Sequence, residues 1–388
     1  MLKFRNTFYV LVLALLCCKK PYNPPATSSV NSFLVIEGAI NSGADSTIIK
    51  ISKTVKLAND STTENPLLGA TVTVESNQNN SWRLVDFNNN GKYASSSLNL
   101  PAALKYRLRI STNGKQYLSD FIEVKPTPPI DSIGYILKDG AIQLYVNTHD
   151  PANNTHYYRW EYDEAWQFHS QWMSIYVYDP KLDSIVDRRP DQMVYFCFGS
   201  DKSSNILLGS TAKLSKDEVY QSPITKIPLT SEKLQTKYSI LLRQYALPTE
   251  AYQFYQNIQK NTEQLGSIFD ALPSQLKGNV RCLSNPAEPV IGYLTVTNVQ
   301  SKRIFIPTSD LTNQILTIYP YYCEMDSAYY LNSNGINTVA IELLSHPTTE
   351  IPLWGIGPAL PPAAFYYAGS YCVDCTLRGT TKAPPFWK

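Results

Sequence analysis

Histidine, unbalanced charge and long apolar runs are all scarce in this sequence. The four histidines, 149, 156, 169 and 346, include no two that stand four apart, which excludes a zinc-binding helix of the HExxH kind. Lysine and arginine total 34 against 32 acids, a net charge of +2 with no long run of either sign, so nothing steers the chain toward DNA or RNA. GxSxG, GxGxxG and Walker motifs are missing, and with them the serine-hydrolase and nucleotide-binding readings. His149, Asp150 and His156 are close enough in sequence to meet a cation on a loop, but residues of this kind on neighbouring loops are usually plain polar surface. We expect neither a metal nor a cofactor.

The apolar run from Phe8 to Leu16 falls short of the roughly 20 residues that a spanning helix needs. Preceded by Lys3 and Arg5, it has the form of a secretory signal. It ends in Leu15-Leu16-Cys17-Cys18, the pattern of a bacterial lipobox, with Leu15 three places before Cys18 and the small Cys17 just before it. Residues 1–17 are then a lipoprotein signal peptide, and Cys18 is the lipidation site. Each acyl methylene buried in the bilayer contributes about 0.8 kcal/mol, so several chains on one cysteine anchor a protein that one chain holds only transiently. Residues 18–32, rich in proline and small polar residues, read as an extended tether. Lys19 stands where an inner-membrane-retained lipoprotein carries aspartate, which points to the outer membrane. The side faced, periplasm or surface, stays open. Removal of residues 1–17 takes away Lys3 and Arg5 and brings the net charge to zero.

Five cysteines remain: Cys197, Cys282, Cys323, Cys372 and Cys375. In an oxidising envelope these are disulfide candidates, and the odd count leaves one over. Cys372 and Cys375 have CxxC spacing without the βαβ context of a redox enzyme and without a second CxxC for zinc. We expect one bridge from that pair to Cys323 and another joining Cys197 to Cys282.

The fold reads as mainly β. In LKYRLRIS, Leu104, Tyr106, Leu108 and Ile110 alternate with Lys105, Arg107 and Arg109, the period of a half-buried strand. ATVTVES, FLVIEGAI and STIIKIS add strands, and Asn90-Gly91 marks a hairpin. Residues 33–125 form an immunoglobulin-like or transthyretin-like sandwich on this reading. KPTPPID at 125–131 ends it, because its prolines cannot continue a central strand. Residues 131–388 form a larger β-rich domain, with AIQLYVNT, HYYRWEYDEAWQF, KYSILLRQYAL and VIGYLTVT among its strands. It carries one prominent helix, PTEAYQFYQNIQKNTEQLG, with Ala251, Tyr255, Ile258, Thr262 and Leu265 on one side and Gly266 past its end.

The candidate ligand contacts are Tyr158, Trp160, Tyr162, Trp166 and Trp172, a dense aromatic cluster within 157–178. Their exposed form is a sugar-stacking platform; their buried form is a sheet core. Glu161 and Asp163 share a strand face, and a glycosidase needs two acids about 5 to 9 Å apart, but Arg159 is at hand to pair with them.

The stretches RWEYDEAWQFHS, ILLGSTAKLS, KYSILLRQYAL, AYQFYQNIQKNTEQLGSIFDALPSQLKGNV, EPVIGYLTV, KRIFIP and CVDCTLRGTTKAPPFW together resemble a Bacteroidetes envelope lipoprotein family catalogued as domain of unknown function 4249. The resemblance implies a non-catalytic, lipid-anchored outer-membrane protein, an accessory or binding partner of a TonB-dependent receptor of the SusC-like type. It implies no catalytic residue. The alternative from another class is a carbohydrate-binding protein or glycan-active enzyme that uses the 157–178 cluster.

Overall fold

Alternating apolar and polar residues make strands the main regular structure of this chain. The computed structural model describes residues 32–55, 65–263, 278–311, 317–319, 322–358 and 361–387. Cys17, Cys18 and the tether lie outside the described residues, as do Leu265, Gly266 and most of GSIFDALPSQLKGN. In chain order the first strands are Leu34–Asn41 (β1), Ser46–Lys53 (β2), Thr71–Ser76 (β3), Ser81–Leu84 (β4), Lys92–Ser97 (β5), Lys105–Thr112 (β6), Lys115–Ser119 (β7) and Ile122–Lys125 (β8). A second group comprises Ile130–Lys138 (β9), Ala141–His149 (β10), Tyr157–His169 (β11), Tyr176–Asp179 (β12), Ser184–Asp187 (β13), Phe196–Lys202 (β14), Leu207–Ser210 (β15), Glu218–Pro228 (β16) and Lys237–Ala246 (β17). Then come the helix Thr249–Glu263 (α1) and Val280–Cys282 (β18), Val290–Ile291 (β19), Thr295–Thr297 (β20), Gln300–Pro307 (β21), Asp326–Tyr329 (β22), Glu350–Ile356 (β23) and Ala364–Gly369 (β24).

The first unit is a sandwich whose pairings run into a ring. β1 pairs β2, and β2 pairs β5. A bridge from Val85 to Ala94 passes to β4, which leads through β3 and β6 to β8. Among the described residues the ring closes through β20, which lies parallel to both β8 and β1. β18 and β19 add to β7 and β1. Tyr106, Leu108 and Ile110 are fully buried, as their alternation requires, and Val280, Cys282, Leu294 and Val296 share their core. This corrects the expected division. The 125–131 segment separates β8 from β9, but VIGYLTVT returns to the first unit instead of serving the second. Close approach makes this return possible: Gly292, at φ +139°, lies so near Ile36 that a Cβ would stand 2.2 Å from its carbonyl oxygen.

The second unit stacks two sheets. One has the order β14-β11-β17-β21, with β15 beside β11; the other is β16-β10-β9. Ile142, Leu144 and Val146 of β10 meet Tyr158, Trp160, Tyr238, Ile240 and Leu242 in one core. A smaller sheet, β22-β24-β23, and the β12-β13 hairpin complete the chain. Of the helix stripe, Ala251 is buried and Tyr255 packs beside it, but Thr262 is exposed and Phe254 is the more buried aromatic.

Two disulfides form, Cys197–Cys375 and Cys323–Cys372, so each CxxC sulfur takes its own partner. The Cys323 bridge joins the pair as expected. The Cys197–Cys282 bridge does not exist: Cys197 is in the second core and Cys282, a free buried thiol, is in the first. The tail is stitched across β14, where Thr380 and Phe198 exchange backbone hydrogen bonds and Trp387 packs on Phe198 (5.1 Å) and Phe305 (5.7 Å).

The two units are joined by a buried polar network. Gln244 of β17, wholly buried, accepts from Trp160 Nε1 (2.8 Å) and donates to Pro128 O (2.8 Å) and Thr148 Oγ1 (2.9 Å). Thr297 Oγ1 donates to Lys125 O (2.7 Å), so the 2.6 Å contact between the Thr127 and Thr297 hydroxyls has Thr127 as donor. Thr127 Oγ1 in turn accepts from Ala246 N (3.0 Å). Three separate chain passages are tied together here. Replacing Gln244 with alanine leaves a buried indole N–H and a buried carbonyl without partners, at about 1–3 kcal/mol each. Gln244→Ala is expected to lower unfolding stability by about 3 kcal/mol in urea titrations, and a loss below about 0.5 kcal/mol would contradict the role given to this side chain.

Candidate functional site

β11 lies between the two units, and its period of two sorts its residues. Tyr158 and Trp160 turn into the second core, where they are 0% and 1% exposed and stack at 5.7 Å. Trp166 is buried too; its Nε1 faces Glu232 Oε1 at 3.3 Å and Lys233 lies over its ring at 4.8 Å. Tyr162 packs half-buried against the same core. Trp172 belongs to a different cluster, edge-on to Trp354 at 6.3 Å. The five candidate contacts therefore form no common stacking surface. The expected face was the right one, but it is the inner face, because large apolar rings gain most by leaving water.

The opposite face carries Arg159, Glu161 and Asp163, and these line a cleft. Two adjoining cavities of about 370 and 360 Å³ share Glu37, Gly38, Glu161 and Ser203. The inner one is walled by β1, β11, the Ser203–Ile206 segment, α1 and the Ile291–Tyr293 return, the outer one by β1, β2 and charged residues of β14 and β17.

Register places Glu161 opposite Arg243 and Arg159 opposite Tyr245. The Arg159 guanidinium lies between the rings of Tyr245 (4.5 Å) and Tyr255 (4.7 Å) and bonds Glu161 Oε1 through Nη1. Tyr245 donates its hydroxyl to Glu161 Oε2 at 2.9 Å. Burial, with the Glu161 charge beside it, pushes the Tyr245 hydroxyl well above its usual range. Asp163 pairs with Arg243, and Lys202 stands at 4.0 Å. Burial opposes the Asp163 charge, but the Arg243 hydrogen bond and the positive charges of Arg243 and Lys202 outweigh it and hold the carboxyl below the usual range. A glycosidase pair needs one protonated carboxyl; Asp163 is held ionised, and Glu161 has both oxygens engaged.

Among the described residues, no three His, Cys, Asp or Glu side chains converge on a cation position. His149 bonds Asp131 (2.7 Å), and Asp150 accepts the backbone N–H groups of Ala152, Asn154 and Thr155.

Sequence reasoning passed over Glu37, Arg243, Tyr245 and, as a site residue, Tyr255. One signal was present: RWEYD and LLRQY carry opposite charges on alternating outward positions, the pattern of two strands that pair side by side.

A β-rich chain with a closed sandwich, a second stacked unit and a charged cleft between them is the class defined here. Residues 19–303 match the family described as Domain of unknown function (DUF4249), and the chain belongs to that family. Every residue lining the cleft falls within the matched span. No curated protein matches the chain. Among solved structures, a candidate carbohydrate-binding protein from Bacteroides uniformis aligns at 10% identity over 56% of this chain and 90% of that chain. Its TM-score of 0.15 is too low to bear on fold or ligand.

The Asp163 shift fixes a pH dependence. A carboxyl whose folded pKa is depressed adds stability above its unfolded pKa, about 3.9, and loses it as pH falls through the folded value. Asp163→Asn is expected to be less stable than the native chain at pH 7, with the gap narrowing as pH drops below about 4. An equal gap at pH 7 and pH 3 in urea unfolding would remove the ion pair from the account.

Proposed function

We propose that this protein is a non-catalytic binding protein of the cell envelope, lipid-anchored at the outer membrane through Cys18, that holds its cleft beside a TonB-dependent receptor of the SusC-like type. The observation that carries the reading is the cleft itself: a cavity between two pinned units, with both of its β11 carboxylates taken up by arginine. The Leu15-Leu16-Cys17-Cys18 pattern and the proline-rich tether support the anchor. Two disulfides, Cys197–Cys375 and Cys323–Cys372, support an oxidising compartment. The alternative reading, a glycan platform at 157–178, loses its basis because Tyr158, Trp160 and Trp166 are inside the sheet sandwich.

Two measurements on native cells test this. Mass spectrometry of the mature chain is expected to find Cys18 as the acylated first residue, with Cys18→Ser abolishing palmitate incorporation. Crosslinking in intact outer membranes is expected to recover a barrel receptor. An unmodified residue 18, or crosslinked material without any barrel, would refute the anchor or the partner respectively.

A further inference from the structure

The inner cavity is unequal in its hydrogen-bonding capacity, and this points to what it holds. Glu161 has both oxygens occupied, one by Arg159 and one by Tyr245. Arg159 is in the opposite state: among the described residues only Glu161 accepts from it, through Nη1, and its Nε is buried without an acceptor. The side chain keeps 11% of its surface exposed and lines the cavity, so an incoming acceptor reaches the guanidinium at its exposed edge. Glu37, the other acid on this wall, already faces Lys50 at 3.4 Å. Arg159 is thus the one cation among the described residues that line the inner cavity. The guanidinium is also held in place before any ligand arrives, by the rings of Tyr245 and Tyr255, which removes much of the ordering cost of binding.

The rest of the inner cavity is apolar. Ile36 and Phe254 are buried in its walls, and Ile258, Ile291 and Tyr293 present partly exposed surface to it. Its volume of about 370 Å³ is in the range of small-molecule sites. We propose that this cavity binds a small amphipathic carboxylate, with the acid on the Arg159 guanidinium and the apolar body under α1 against Phe254 and Ile258. The inference rests on the reading of the cleft as a binding site and adds the ligand's chemical class. Arginine suits the role because its planar fork matches a carboxylate, whereas lysine offers a point charge.

The test uses the full mature chain in detergent and three probes that share one body: phenylacetate, phenylacetamide and benzylamine. Ligand-observed NMR titration measures each. Phenylacetate is expected to bind about tenfold more tightly than the amide, the margin of a charge-assisted hydrogen bond, and benzylamine not to bind. Arg159→Gln is expected to abolish the preference for the acid. Because loss of Arg159 strands Glu161 and can unfold the chain, Ile258→Trp serves as the second variant: it fills the chamber from the helix and is expected to stop phenylacetate binding with the urea midpoint unchanged. Benzylamine binding as tightly as phenylacetate, undiminished phenylacetate binding by folded Ile258→Trp, or no phenylacetate binding at all would each overturn the proposal. None of these results alters Cys18 acylation or receptor crosslinking, so failure here is separable from failure of the envelope reading.

Discussion

Gln244 is the constraint on which the rest depends. It is a neutral side chain with no exposure, and every hydrogen bond it makes goes to a different stretch of chain: Trp160, Pro128 and Thr148. Thr127 and Thr297 extend the same network to Ala246 and Lys125. A buried polar network is favourable only when complete, because each unpaired member keeps its full desolvation cost. The chain crosses between the two units near 127, 246 and 298, and the network holds those crossings in one arrangement. The cleft exists because they cannot slide apart.

The ring closure has a consequence for folding. β20 completes the first unit but follows β8 by about 170 residues, so the first core cannot be finished until most of the second unit has been made. Long-range pairing of this kind imposes loop-closure entropy before it gives contacts in return. The disulfides act at the other end of the chain. Cys197–Cys375 spans 178 residues and fixes the tail to β14, while Cys323–Cys372 ties the same tail to a neighbouring segment.

Local pattern made the strands legible. The alternation of Tyr106, Leu108 and Ile110 gave their inward face, and the spacing of Ala251 and Tyr255 gave the helix. Two kinds of information were not local. One is which side of a strand is covered on both faces of a two-layer unit: between 158 and 163, β11 carries aromatics on even positions and charges on odd ones, and only the layers above and below decide that the aromatics are core and the charges are cleft. The other is long-range partnership. Nothing within VIGYLTVT indicates that it lies parallel to β1, and Cys197 and Cys282 differ in core, not in any feature of their own sequence. The cleft was half legible: Arg159, Glu161 and Asp163 were visible as a charged face, while Arg243, Tyr245 and Tyr255, which neutralise and cage it, come from β17 and α1.

The central claim is that the joint gives one fixed arrangement of the two units, and hence a cleft formed before anything binds. The most direct measurement is a pulsed electron-spin distance between nitroxides at Gln78→Cys in the first unit and Lys226→Cys in the second, both exposed positions. A single narrow distance distribution in the free protein is the expected result. A broad or two-peaked distribution would show units that swing on a hinge, and would contradict the account.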